Sequence, residues 1–222
     1  MKRALIVQGG LESHEPAQTA QIMADALRKH DFEIVISDRV DSFADPEYTT
    51  TFDLLIPHVT AGKASLEQLK GLFEAVRAGT GLAGIHGGGI AGFRSHVEFL
   101  ALFGGLFVCH PGGTDSTYTV HIADGTHPVT QGLDDFELTS EQYYVLVDPA
   151  NHVLATTLYP AERSPTGANV IMPIAWVRHF GTGRVFTCSL GHDARTLSLP
   201  PVLEMTTRGL LWTARHNEKE RK

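Results

Sequence analysis

The chain has 222 residues, 42% of them hydrophobic, with 25 acidic against 18 basic side chains and a formal charge of −7. That length can bury a substantial core as one domain, here 1–216 followed by a charged tail at 217–222, and the interspersed charges offer no positive footprint for nucleic acid or an anionic membrane surface. No apolar run approaches the roughly 20 residues of a membrane helix, the N-terminus lacks a secretory signal, and Cys109 and Cys188 have no CxxC spacing, so the expectation is a cytoplasmic protein with free thiols.

In chain order, the apolar run at 3–8 predicts a first strand, and Ala20, Ile22, Met23, Ala26 and Leu27 recur at helical spacing behind Pro16, a residue suited to a first helical position. Strands follow at 32–37 and 53–58. Ser65 and Gln68 predict a capping box for a helix with Leu66, Leu69, Leu72, Phe73 and Val76 inward and Gly79 at its end. The next strand, 82–86, runs into Gly87-Gly88-Gly89, and a further helix is expected from near Gly92, carrying Phe93, Val97, Leu100 and Phe103 to Gly104-Gly105. From about 106 to 178 the helical period fades and β-prone segments appear at 118–122, 143–147 and 152–157. A hairpin turning at Gly181-Thr182-Gly183 and a last helix from Pro200-Pro201 complete the reading. Alternating strands and helices predict an α/β fold with a mostly parallel central sheet and a β-rich region in the second half.

Chemistry in such a sheet collects where strands end. His14, His86 and His192 each follow an apolar strand, so one shared crevice is expected. Gly87 and Gly88 have two readings: backbone amides open to a ligand, or positive φ and close helix packing. Gly9-Gly10 does not match the dinucleotide fingerprint. Glu141, flanked by Ser140, Tyr143 and Tyr144, is the best carboxylate, because a sugar site combines aromatic faces with polar groups; the alternative is an exposed strand glutamate. His110-Pro111 and His127-Pro128 read as turns, with His110 kept as a site-lining residue and Asp193 as a group able to orient an imidazole. His86, Glu141 and His192 are also candidate ligands for zinc or manganese, although no HExxH-type spacing supports a metal.

The ordered set of Gly84-Ile85-His86-Gly87-Gly88, Phe107 through His110-Pro111, His127-Pro128-Val129-Thr130, Glu141 with Tyr143, and Gly191-His192-Asp193 followed by Arg208 to Trp212 resembles the ThuA-like (trehalose-utilisation) family over nearly the whole chain. The resemblance implies a flavodoxin-like three-layer sandwich similar to class I glutamine amidotransferases. It also implies a role in bacterial carbohydrate metabolism, processing of keto-glycosides, and a pocket lined by His14, His86, Glu141, Tyr143 and His192. Ser140 stands where that family often has aspartate, and Cys109 precedes His110, which leaves substrate specificity open. Amidotransferases place a nucleophilic cysteine where this chain has His86, so cysteine-dependent glutamine hydrolysis is not expected.

Two functional readings follow. In the first the chain is an enzyme on a sugar or keto-glycoside, a hydrolase, lyase or isomerase, with His86, Glu141 and His192 as acid/base groups or metal ligands and His14, Gly87, Gly88, His110, Tyr143 and Asp193 contacting substrate. In the second it is a non-catalytic carbohydrate-binding or regulatory partner of a sugar dehydrogenase; a homo-oligomer is compatible with either.

Overall fold

A computed structural model describes residues 1–215; the expected tail at 217–222 lies outside the described residues. The first half alternates β1 (Lys2–Gly10), α1 (Pro16–Arg28), β2 (Phe32–Ser37), a single turn α2 (Pro46–Thr49), β3 (Leu54–Thr60), α3 (Leu66–Arg77), β4 (Gly81–Ile85), a short α4 (Gly87–Ile90) and α5 (Val97–Phe103). Then come β5 (Gly105–Cys109), β6 (Thr117–Ile122), β7 (Phe136–Thr139), β8 (Tyr144–Val147), β9 (His152–Tyr159), β10 (Val170–Phe180) and β11 (Gly183–Cys188), closed by α6 (Ala194–Leu197) and α7 (Pro200–Thr213).

Nine strands form one sheet in the order β2-β1-β3-β4-β11-β10-β9-β6-β7, while β5 and β8 make a separate antiparallel pair. From β2 to β11 all neighbours are parallel; from β11 outward they are antiparallel. The sheet is thus a parallel half followed by the antiparallel extension expected from the second half of the sequence. Successive residues point to opposite faces. Ile6, Ile56 and Ala83 bury against Met23 and Leu27 of α1 and Met205 and Leu210 of α7, whereas Leu5, Leu55 and Leu82 bury against Leu69, Leu72 and Val76 of α3 and Phe103 of α5. Helices on both faces make the three-layer, flavodoxin-like α/β arrangement.

Local signals account for most boundaries. Ser65 and Gln68 form the reciprocal capping box, and Gly79 ends the helix at φ 109°. Leu66 departs from expectation: it is 54% exposed, because the first helical residue lies before the face that meets the sheet. The expected helix from Gly92 is also replaced. Three glycines let the chain make the tight turn of α4 directly after β4, and α5 starts only at Val97, which is 75% exposed. Strands β5 and β7 are not among the strands expected from the sequence.

Candidate active site

The parallel register brings the strand ends level. Gly10 pairs with Thr60 at the ends of β1 and β3, and Ile85 pairs with Cys188 at the ends of β4 and β11. His14, Thr60, His86 and the segment 189–192 therefore leave neighbouring strands on one rim, at the carboxyl edge where open α/β sheets hold their ligands. Glu141 and Tyr143 reach this rim from the β7–β8 connection, which the antiparallel extension anchors. Tyr118 on β6 donates its hydroxyl to the Glu141 carbonyl at 3.0 Å, and Gln142 Nε2 donates to Thr157 Oγ1 at 3.0 Å.

His86 sits at φ 49°, ψ −134°, a region a side-chain-bearing residue rarely adopts, and this sharp strand-to-helix turn thrusts its ring out over the rim. Its backbone N–H donates to the Cys188 carbonyl and Nδ1 donates to the Ser189 carbonyl at 2.8 Å. A neutral ring so held carries its lone pair on Nε2. That atom accepts from the Tyr143 hydroxyl at 2.7 Å and lies 3.2 Å from Glu141 Oε2 and 3.4 Å from His192 Nδ1. His192 Nδ1 is in turn 3.2 Å from the same Oε2. His14 completes the group, its Nδ1 bonded to Thr60 Oγ1 at 3.1 Å and its ring centroid 4.9 Å from that of His86 and 4.7 Å from that of His192.

All four side chains are buried. Burial, helped by the neighbouring imidazoles, lowers the His14 pKa to about 4 and pulls His86 down, so both are neutral at pH 7. Burial alone would raise the Glu141 pKa, but favourable contacts, led by that from His192, outweigh it and hold the carboxyl well below its usual range. His192 moves up because Glu141 stabilises its charged form. Burial and Glu141 together push the Tyr143 phenol well above 10.

Glu141 Oε2 is buried without an aligned hydrogen-bond donor, although two ring nitrogens stand 3.2 Å away. His86 turns a lone pair rather than a proton towards this oxygen. One donor atom from each of His14, His86, Glu141 and His192 lies within 4.8 Å of the others. The separations of 3.2, 3.2 and 3.4 Å among His86, Glu141 and His192 suit the edges, about 3.3–3.4 Å, of a tetrahedral ion with bonds of about 2.0–2.1 Å to nitrogen. Imidazole with carboxylate is the donor set of zinc and related divalent ions. The donors of His86, Glu141 and His192 fit such an ion, and His14 offers a further donor within 4.8 Å of them.

The sequence profile of the family described as trehalose utilisation, ThuA, matches residues 3–213. The chain belongs to the ThuA family. Compared with curated proteins, it has no significant match. Among solved structures, a ThuA-like protein from Bacteroides uniformis ATCC 8492 superposes with a TM-score of 0.75 at 16% identity, over 98% of this chain and 93% of that one. A ThuA-like protein from Parabacteroides merdae ATCC 43184 gives 0.74 at 18% identity, over 96% and 89%. A protein from Salmonella typhimurium described as cytoplasmic gives 0.66 at 12% identity, over 97% and 100%.

Of the residues expected in the ThuA pocket, the fold brings together His14, His86, Glu141, Tyr143 and His192. His110 stands at the edge, its Nε2 3.7 Å from Glu141 Oε1 and its side chain 38% exposed. Gly87 and Gly88 do not line the pocket. Both are buried in α4, a Cβ on Gly87 would stand 2.5 Å from Thr60 Oγ1, and one on Gly88 would stand 2.8 Å from the Pro57 carbonyl. Close packing is their role, and the positive φ expected of them falls on His86 instead. Asp193 does not orient a ring either: Oδ1 caps α6 by accepting from the Thr196 amide at 2.7 Å. His127 packs on His152 and Trp212.

A cavity of about 100 Å³ opens beside the cluster, lined by Leu11, His14, Thr60, Arg94, His110 and Tyr143 among others, with Phe107 as part of its wall. The Phe107 ring lies 4.5 Å from that of Tyr143 and 5.5 Å from the Arg94 guanidinium. Thr60 and Arg94 are not among the site residues read from the sequence, since a threonine ending a strand carries no local signal of a site, and Phe107 enters that reading only as part of the ThuA motif that ends at His110-Pro111.

Proposed function

We propose that this ThuA protein is a cytoplasmic enzyme of carbohydrate metabolism that acts on a sugar or keto-glycoside, with a divalent metal held by His14, His86, Glu141 and His192. The observation that carries this reading is the buried meeting of three imidazoles and a carboxylate whose Oε2 has no aligned donor. A divalent ion there, zinc or manganese by donor set, would polarise a sugar carbonyl or hydroxyl. His14, already neutral at pH 7, offers a lone pair without first losing a proton. The Tyr143 hydroxyl stands at the cavity wall, where an ion taking the His86 Nε2 lone pair would free it to donate to a sugar oxygen. Phe107 gives a flat apolar face for C–H surface, and His110 and Arg94 can orient hydroxyl groups.

A proton α to a sugar ketone is acidic enough for one positioned base, so elimination, isomerisation and hydrolysis all suit this arrangement. A histidine at the strained turn after β4 does not carry an acyl group as a cysteine does, which argues against glutamine hydrolysis through a thiol. The test is metal analysis together with turnover of glycosides and 3-keto-glycosides. The expected result is one bound divalent ion, with turnover lost on chelation. Glu141→Gln should weaken Co²⁺ binding by more than about a hundredfold, since it removes a buried charge from its partners. Absence of metal binding, with Glu141→Gln turning over normally, would refute the reading. Sugar binding without turnover, in a stable complex with a sugar dehydrogenase, would establish the non-catalytic partner instead.

A further inference from the structure

His14 and His192 come from opposite ends of the chain, and something must hold their loops at ligand spacing. We propose that Glu15 is a positioning residue whose carboxylate ties the His14 loop to the start of α6, setting the distance between His14 and His192. The inference rests on the metal-binding reading of the cluster.

Glu15 is next to His14, and its Oε2 accepts from the backbone N–H of Ala194, two residues beyond His192, at 2.9 Å. That amide is the first of α6, where an unpaired helix-start N–H would otherwise need water or a cap. Glu15 also has an unusual backbone. At φ 47° and ψ 52° it occupies the left-handed region, disfavoured for a residue with a Cβ. Such strain persists only where the surroundings over-determine it, and here they do. The Glu15 N–H donates to the Glu12 carbonyl at 2.9 Å, and the Glu15 carbonyl accepts from the Thr19 amide at 2.9 Å and from Thr19 Oγ1 at 2.9 Å. Thr19 Oγ1 in turn meets Nε2 of buried His58 on β3 at 2.7 Å.

The left-handed residue separates the turn bearing His14 from α1, so that the ring faces the cluster while the adjacent carboxylate crosses to α6. Of the cluster's loops, these are the two that Glu15 links directly.

Glycine is at ease in the left-handed region and has no carboxylate, so Glu15→Gly separates the brace from folding. Glutamine keeps an oxygen for the same N–H. In metal-free protein, Glu15→Gly should melt no lower than wild type yet exchange the Ala194 amide at least about tenfold faster, because its acceptor is gone. In Co²⁺ titrations Glu15→Gly should bind about 10–100-fold more weakly, the usual effect of removing a group that orients ligands, with a changed visible spectrum. Glu15→Gln should stay close to wild type in both measurements. Wild-type exchange at Ala194 in Glu15→Gly, or wild-type Co²⁺ affinity and spectrum, would overturn the proposal. If wild type itself takes up no Co²⁺, the metal reading falls, and the exchange comparison in metal-free protein still decides whether the brace exists.

Discussion

His58 lies beneath the cluster on β3, 5% exposed, with Nε2 bonded to Thr19 and Nδ1 buried without a partner. Burial, reinforced by His86 and His14, lowers its pKa from 6.5 to about 3. In the unfolded chain the ring takes up a proton near pH 6.5, whereas in the folded chain it resists until about pH 3. Between those limits the unfolded state binds more protons, so stability falls as pH falls; the loss begins below pH 6.5 and is complete near pH 3. Each pH unit within that window costs about 1.4 kcal/mol, which comes to about 2 kcal/mol between pH 7 and pH 5. Urea unfolding of metal-free wild type and His58→Asn at both pH values tests this. Other titrating groups contribute equally to the two proteins, and the packing lost with asparagine is present at both pH values. Wild type should therefore lose about 2 kcal/mol more than the variant on acidification. Superimposable pH dependences would refute the argument, as would a wild type that gains stability relative to the variant.

Gly84→Ala places a methyl 2.5 Å from both Gly89 Cα and the Phe103 ring; such overpacking costs about 1–3 kcal/mol and should lower the melting temperature by about 2–12 °C in calorimetry. An unchanged melting temperature would show that the turn after β4 can give way. Tyr143→Phe removes the hydroxyl 2.7 Å from His86 Nε2 and should lower kcat on a keto-glycoside by about 10²–10⁴-fold with metal content intact. A normal kcat would leave Tyr143 with a packing role alone.

Local periodicity and turn chemistry are written in neighbouring residues, and they were legible. The alternation of strands and helices, the capping box of Ser65 and Gln68, and the hairpin at Gly181-Thr182 could all be read without coordinates, because each depends on residues a few positions apart. The rim histidines were legible for a related reason: in a parallel sheet every strand ends on the same side, so a histidine following an apolar run is placed before strand order is known. The ThuA resemblance added Tyr143. The rest needed the tertiary structure. That Glu141 points inward depends on Tyr118 and Gln142 pinning its loop to β6 and β9, contacts between segments whose pairing no local pattern reveals. Gly87 and Gly88 looked alike as ligand contacts or packing until the space at their α-carbons proved to belong to Thr60 and Pro57. The left-handed backbones of His86 and Glu15 likewise follow from what surrounds them rather than from their own preferences, since strain is held in place by distant partners. Which side chains end on the rim is a property of the chain's own pattern, but which of them meet depends on strand order and long-range hydrogen bonds that exist only once the sheet has assembled.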